Sequence, residues 1–370
     1  MTSKRVRAVR KSRKTLSAGR WVLTTLVAII ALILTACGSS DDGEVDLSKE
    51  LPTEIPAGTK IVWADQQNKY QTLLAASGLD KDLPYKLEYA NFTGGPAVLA
   101  AFPARTADGA GAGGVPPEHA QPTDQKVPII LALQTGVDTY SLATAPKSKV
   151  PTAADLRGKK IAYAEGTAQQ AAVLRAIDNA GLKVSDVTLV KLKLAEFSDA
   201  LGANQVDIAP LNEPRLTRYL RDFGRDGASF VDPKSVGQIS EGLSYIYARG
   251  ESLTDTAKSA ALRHLEGVII KAYDWANKNP AAWIDAYYVK NQNVTADDGW
   301  RILRSTGTTG FPKLDDALIA RQQGTIDVLD KAGQLPKKVK ASDDFDLRFA
   351  PVIEQAVSET GISRGSEKIQ

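Results

Sequence analysis

From residue 59 onward, short apolar runs alternate with amphipathic segments, the pattern of strands covered by helices. Residues 60–64 (KIVWA) read as a first strand. Residues 70–78 read as a helix closed by the C-cap glycine Gly78, and residues 85–89 as a second, alternating strand, which makes an opening βαβ unit. The clearest unit follows later: a strand at 159–164, a turn at 165–167, a helix at 168–180 capped by Gly181, a strand at 187–192, a helix at 195–202 and a strand at 205–209. Ala171, Leu174 and Ile177 recur every third position and give this helix an apolar stripe expected to pack on the sheet. The last third changes to long helices, with Ala261, Leu265, Val268, Ile269, Ala272 and Ala276 along one face and another helix over 317–332.

Residues 101–126 crowd Ala, Gly and Pro and imitate a linker. Glycine permits close backbone approach and proline suits a first helical turn, so residues 110–115 followed by Pro116, Pro117 and Glu118 read as a strand at a sheet edge running into a short helix.

Composition narrows the chemistry. With one Cys and two His in 370 residues, neither an internal disulfide nor a Cys-rich or multi-histidine metal centre is available, so no metal and no cofactor is expected. The net charge of +3 is misleading: residues 1–36 hold eight basic residues and no acidic one, leaving 38 basic against 43 acidic in the rest. The body therefore offers no basic patch for nucleic acid. No G-x-S-x-G and no P-loop occurs, since residues 109–114 lack a following Lys-Ser/Thr.

The basic run followed by the uncharged stretch 21–36 has the order of a secretory signal, and that stretch is shorter than the roughly 20 apolar residues a membrane span needs. It ends in Leu34-Thr35-Ala36-Cys37-Gly38, which resembles the lipobox of bacterial lipoproteins, whose cysteine is acylated after cleavage. That resemblance implies a signal peptide over 1–36, lipidation at Cys37, a polar tether over 37–58 and a protein anchored on the outer face of a bacterial cell membrane.

The segment Pro151-Thr152-Ala153-Ala154-Asp155-Leu156-Arg157-Gly158-Lys159-Lys160-Ile161-Ala162 resembles the opening of the second lobe in solute-binding proteins of bacterial ABC importers, particularly the sulfonate/nitrate/taurine family. The likeness continues through Glu165-Gly166-Thr167, Ala180-Gly181-Leu182, residues 205–209 and Asn212-Glu213-Pro214, with Phe92-Thr93-Gly94-Gly95-Pro96 and residues 108–117 upstream and residues 245–248 and 275–280 downstream. It implies an α/β, two-lobed periplasmic-binding-protein-like fold of type II with two hinge crossovers. Lobe one would be 59–145 plus 251–365 and lobe two 146–250, with hinges at residues 139–149 and 243–251. The implied function is capture of a small organic anion or zwitterion, as a monomer serving separate permease and ATPase subunits, without catalysis. An enzyme resembling the thiamin-pyrimidine synthesis proteins and a ligand sensor for a membrane kinase are the alternatives.

In such sheets ligands sit beyond the carboxyl ends of strands, where helix N-termini present free N–H groups. The expected ligand-binding residues are therefore Gln66 and Gln67, Gly114 and Val115, Gly166, Thr167 and Ala168, and Asn212 and Glu213. Thr167 also suits an N-cap. Each of the four turns carries a carboxylate, Asp65, Glu118, Glu165 or Glu213, and the nearest cations are Lys69 and Arg215, which leaves a plain anion and a zwitterion both open. His119 and His264 read as structural, and Trp275, Trp283, Tyr287 and Tyr288 as core.

Overall fold

The computed structural model describes residues 48–369 apart from Asp124 and Asp138; the expected signal segment, Cys37 and the expected tether up to residue 47 lie outside the described residues. Among the described residues ten strands form two mixed five-stranded sheets. The first runs β2-β1-β3-β10-β4, built from β1 (Lys60–Gln66), β2 (Lys86–Phe92), β3 (Gly109–Ala112), β4 (Ile129–Gln134) and β10 (Leu243–Ala248). The second runs β7-β6-β8-β5-β9, built from β5 (Tyr140–Thr144), β6 (Lys160–Tyr163), β7 (Thr188–Lys191), β8 (Ile208–Asn212) and β9 (Ser229–Phe230). In each sheet the first three strands are parallel, and the remaining pairings, through β10 or β5, are antiparallel.

The helices in chain order are α1 (Lys69–Ser77), α2 (Gly95–Ala101), α3 (Pro116–Ala120), α4 (Ala168–Asn179), α5 (Phe197–Gly202), α6 (Arg215–Phe223), α7 (Pro233–Val236), α8 (Gly250–Thr254) and α9 (Thr256–Lys278). Then come α10 (Pro280–Trp283), which runs into a π-helical segment Ile284–Asn291, α11 (Ala296–Thr306), α12 (Asp316–Lys331) and α13 (Ala350–Thr360). The expected βαβ elements stand close to where the hydrophobic pattern put them. Gly78 and Gly181 close their helices with φ of 74° and 67°. The strand expected at 205–209 starts three residues later, at Ile208, and just before it the Asp207 carboxylate accepts from the Lys160 amide at 2.8 Å.

Two expectations change. The Gly-rich run does form a strand and a short helix, but β3 is the centre of its sheet, not an edge. A side chain at Gly111 would place its Cβ 2.5 Å from the Tyr70 ring, so glycine here makes room for an aromatic neighbour. The crossovers also shift. β5 pairs with β8 in the second sheet and β10 with β3 and β4 in the first, so the chain passes between sheets at residues 135–139 and 237–242, not at 139–149 and 243–251. The two crossovers run side by side, with the Thr135 amide donating to Gly242 O at 2.9 Å and the Thr139 and Ser240 hydroxyls 2.8 Å apart.

The stripe on α4 is divided as well. Ile177, with Val173 and Ala176, packs on Ile161 and Ile208 of the sheet, whereas Ala171 and Leu174 pack on Val115 and on Leu329 of α12. Arg175 donates to Thr325 on α12 at 2.9 Å, and the Gln170 amide nitrogen donates to Gln334 Oε1 at 3.1 Å. Helix α4 is therefore buried on two sides, one facing its own sheet and one facing the C-terminal helices.

Candidate functional site

Strands β1, β3, β6 and β8 all end at one cavity of about 230 Å³ between the two sheets. At the first turn Asp65 closes back on helix α1, its carboxylate accepting from the Gln66, Tyr70 and Gln71 amides at 2.7, 3.2 and 2.9 Å. Gln67 and Asn68, at φ of 58° and 52°, then tighten the path so that Lys69 opens the helix at the cavity wall. From β3, Gly111 to Gly113 reach the wall; a Cβ on Gly113 would lie 2.6 Å from the Ala168 Cβ, so the facing turns of the two sheets touch. From β6 come Thr167, Ala168 and Gln169, whose N–H groups open α4 without intrahelical partners. From β8 come Asn212, Glu213, Pro214 and Arg215.

Of the expected residues, Gln66, Gln67, Thr167, Ala168, Asn212 and Glu213 line this cavity. Gly114, Val115 and Gly166 do not. The Gly114 carbonyl accepts from Gln322, Val115 is fully buried against Ala171, Leu174 and Leu329, and the Gly166 amide donates to Gln170 Oε1 at 2.8 Å. Thr167 occupies the N-cap position of α4, but its hydroxyl donates to Ala164 O at 2.6 Å and makes no cap bond, so its one proton is spent. Gln66 is similarly held, donating to Gly111 O at 2.8 Å and accepting from the Gly94 amide at 2.9 Å. It fixes the turn while facing the cavity.

The four turn carboxylates all have partners within the protein. Asp65 caps α1 as above; burial raises its pKa against those amides and Lys69. Glu118 is fully buried beside Gln322 and Asp344, and burial together with the Asp344 charge holds its pKa well above the usual value. Glu165 pairs with Lys191 at the surface. Glu213 accepts from Thr217 N at 3.1 Å and from Arg301 Nη1 at 3.1 Å, which caps α6 and neutralises the charge.

The cations are placed differently. Among the described residues neither Lys69 nor Arg215 has a carboxylate within ion-pair distance: Lys69 Nζ lies 5.5 Å from the Tyr273 ring centre, and Arg215 Nη1 donates only to Asn212 Oδ1 at 3.3 Å. Burial, then the neighbouring Arg218, lowers the Arg215 pKa, which marks a guanidinium that an anion would relieve. Tyr140, Ser244, Tyr287 and Tyr288 complete the wall and were missed as site residues. Tyr287 is core as expected, stacked on Trp283 at 4.7 Å, and forms wall as well. His264 sits at 3.3 Å from the Tyr85 hydroxyl, away from the cavity. Among the described residues no His lines the site and no group of three metal-ligating side chains assembles.

Two mixed sheets joined by two adjacent crossovers, with a cation-bearing cavity between them, define a periplasmic-binding-protein fold. The family model described as NMT1/THI5 like matches residues 119–282. It is 24% identical over 340 residues to an aliphatic sulfonates-binding protein of Bacillus subtilis, covering 91% of this chain and 97% of that one. An Escherichia coli protein described in the same words is 28% identical over 200 residues, which is 50% of this chain and 63% of its relative. Among solved structures, the alkanesulfonate-binding protein SsuA of Xanthomonas axonopodis pv. citri bound to MOPS superposes with a TM-score of 0.68 at 21% identity, over 79% of this chain and 99% of that one. The desulfurization enzyme DSZB shares the fold at a TM-score of 0.59 and 14% identity, over 81% of this chain and 99% of its own.

Proposed function

We propose that this chain captures a small organic sulfonate outside the cell and delivers it to the permease and ATPase of an ABC importer. The observation that carries the reading is the charge balance of the cavity: Lys69 and Arg215 face it without an ion-pair partner among the described residues, while each turn carboxylate, Glu213 on the wall included, is already held by protein groups. That balance favours an anion over a zwitterion, because no free carboxylate is left to receive an ammonium group. The names of the Bacillus and Escherichia relatives agree with it. The fold also supports catalysis in DSZB, but among the described residues no His lines this cavity to act as a base.

In this reading residues 59–139 with 243–365 form one lobe and residues 140–242 the other, the bounds following the sheets, and the paired crossovers act as the hinge. Closure is secured by bonds between the halves, such as Arg301 to Glu213 at 3.1 Å and Arg218 to the Gln292 carbonyl at 3.0 Å.

A ligand panel tests the function. Methanesulfonate and longer sulfonates should raise the melting temperature in proportion to the logarithm of their concentration, and taurine should do so less. No shift with any sulfonate would refute the reading. The membrane placement has its own test: Cys37→Ala should move the protein from the membrane to the soluble fraction, and retention on the membrane would show that the uncharged N-terminal stretch spans it instead.

A further inference from the structure

Among the described residues one apolar cluster draws on both lobes, whereas the others stay within one lobe. It joins Ala171 and Leu174 of α4 to Val115 and to Leu329 of α12, all four buried. Helix α12 is held along its length. Leu318 enters the core of the first sheet, and Arg321 donates to Gln134 Oε1 at 2.8 Å and to the Glu241 carbonyl, in the second crossover, at 3.1 Å. At its other end Lys331 pairs with Asp178 of α4 at 2.5 Å. The helix thus runs from the crossovers to α4.

The contact that α6 makes with the other lobe has a different character. Arg218 Nη1 donates to the carbonyl and to Oε1 of Gln292 at 3.0 and 3.2 Å, and Arg221 to the Asn293 carbonyl at 3.1 Å. In return Arg301 of α11 donates to Glu213 at 3.1 Å and to the Thr217 hydroxyl. Arg221 and Arg301 keep about half of their side chains in water. Leu216 and Tyr219 of α6 pack into their own lobe, and Trp283 and Ile284 into theirs, so the bonds across this side are polar with no shared apolar cluster beneath them. Gln292 also donates to the Gln67 carbonyl at 3.2 Å, which ties the α6 contact to the turn that carries Lys69.

We infer that the α4–α12 seam is a third hinge point, so that the lobes part on the α6 side alone and the ligand enters and leaves there, between α6 and α11. The inference rests on the capture reading above but not on which molecule is captured. Its reason is energetic. Parting the seam would expose buried apolar surface to water, whereas the bonds of half-exposed arginines exchange for water at little net cost. Arg218 and Arg301 are then positioning residues: they fasten the gate, and through Gln292 the closed gate fixes the Gln67 turn.

Paired spin labels on the Cys37→Ala protein test this by electron–electron double resonance. One pair, Arg225→Cys with Asp297→Cys, spans the α6 side, and the other, Ser185→Cys with Asp330→Cys, spans the seam; all four positions are exposed. Without ligand, adding Arg218→Ala and Arg301→Ala should lengthen the first distance by more than about 2 Å and the second by less than about 1 Å. A seam distance that lengthens as much as the other, or no lengthening of either, overturns the inference. Stopped-flow mixing with methanesulfonate gives the second readout. Arg218→Ala should speed release about tenfold and leave the association rate unchanged, since the bonds it loses form only after the ligand has entered. Release at the wild-type rate overturns the gate. If no sulfonate binds, the proposed function falls, and the label distances still decide the seam.

Discussion

Arg215→Ala should weaken sulfonate binding by about two orders of magnitude while leaving the melting temperature of the ligand-free protein nearly unchanged. The two halves have one cause. Arg215 begins α6 at the cavity wall, largely withdrawn from water, and donates to Asn212 Oδ1 at 3.3 Å. Truncating one member of a buried, hydrogen-bonded charge pair costs about 2–5 kcal/mol of binding, and two orders of magnitude is about 2.7 kcal/mol. In the empty protein the same guanidinium is desolvated without a counter-charge, so its removal takes away little. Arg215→Lys should fall between, since an ammonium keeps the charge but not the planar fork that matches a sulfonate's oxygens. Calorimetry of methanesulfonate binding, beside melting curves of the apo proteins, measures both; a binding loss below about threefold would place the anion elsewhere.

Glu266→Leu should stabilise the protein, and more at pH 8 than at pH 4.5. Glu266 lies on α9, fully buried, with neither carboxylate oxygen hydrogen-bonded among the described residues, and burial holds its pKa well above the ordinary carboxylate value. A carboxyl whose folded-state pKa exceeds its unfolded one contributes most stability below the unfolded pKa, about 4.3, and loses it as pH rises towards the folded value. Leucine removes that loss and fills a similar volume, so a gain of about 1–4 kcal/mol at pH 8 is expected from urea unfolding. Asp344, pushed up to about 6 chiefly by burial, and Glu118 beside it keep a slope of the same sign in both proteins, so the comparison is the difference between wild type and variant at each pH. An equal difference at pH 4.5 and pH 8 would show that Glu266 does not titrate with folding.

The carboxylates show how far the sequence reads. All four stand within a few residues of a strand end, and counting them suggests a cavity with mixed or negative character. Asp65 cancels within its own turn, through amides one, five and six residues away. The other three are settled by residues 26 to 226 positions distant: Lys191 for Glu165, Arg301 for Glu213, and Gln322 and Asp344 for Glu118. The cations Lys69 and Arg215 are left over by the same accounting, and no local pattern marks them. Tyr287 and Tyr288 escaped for a related reason: apolar spacing identifies a buried ring but not that one edge of it borders a cavity.

The strand, turn and helix units, the glycines that close α1 and α4, and the strand hidden in the Gly-rich run were decided by the sequence itself, because periodicity and backbone freedom act over a few residues. The exchange of β5 and β10 between sheets, the two-sided burial of α4 and the charge left facing the cavity were decided only when the chain folded. Those depend on which distant groups satisfy one another's hydrogen bonds and charges once water is excluded, and that pairing exists only in three dimensions.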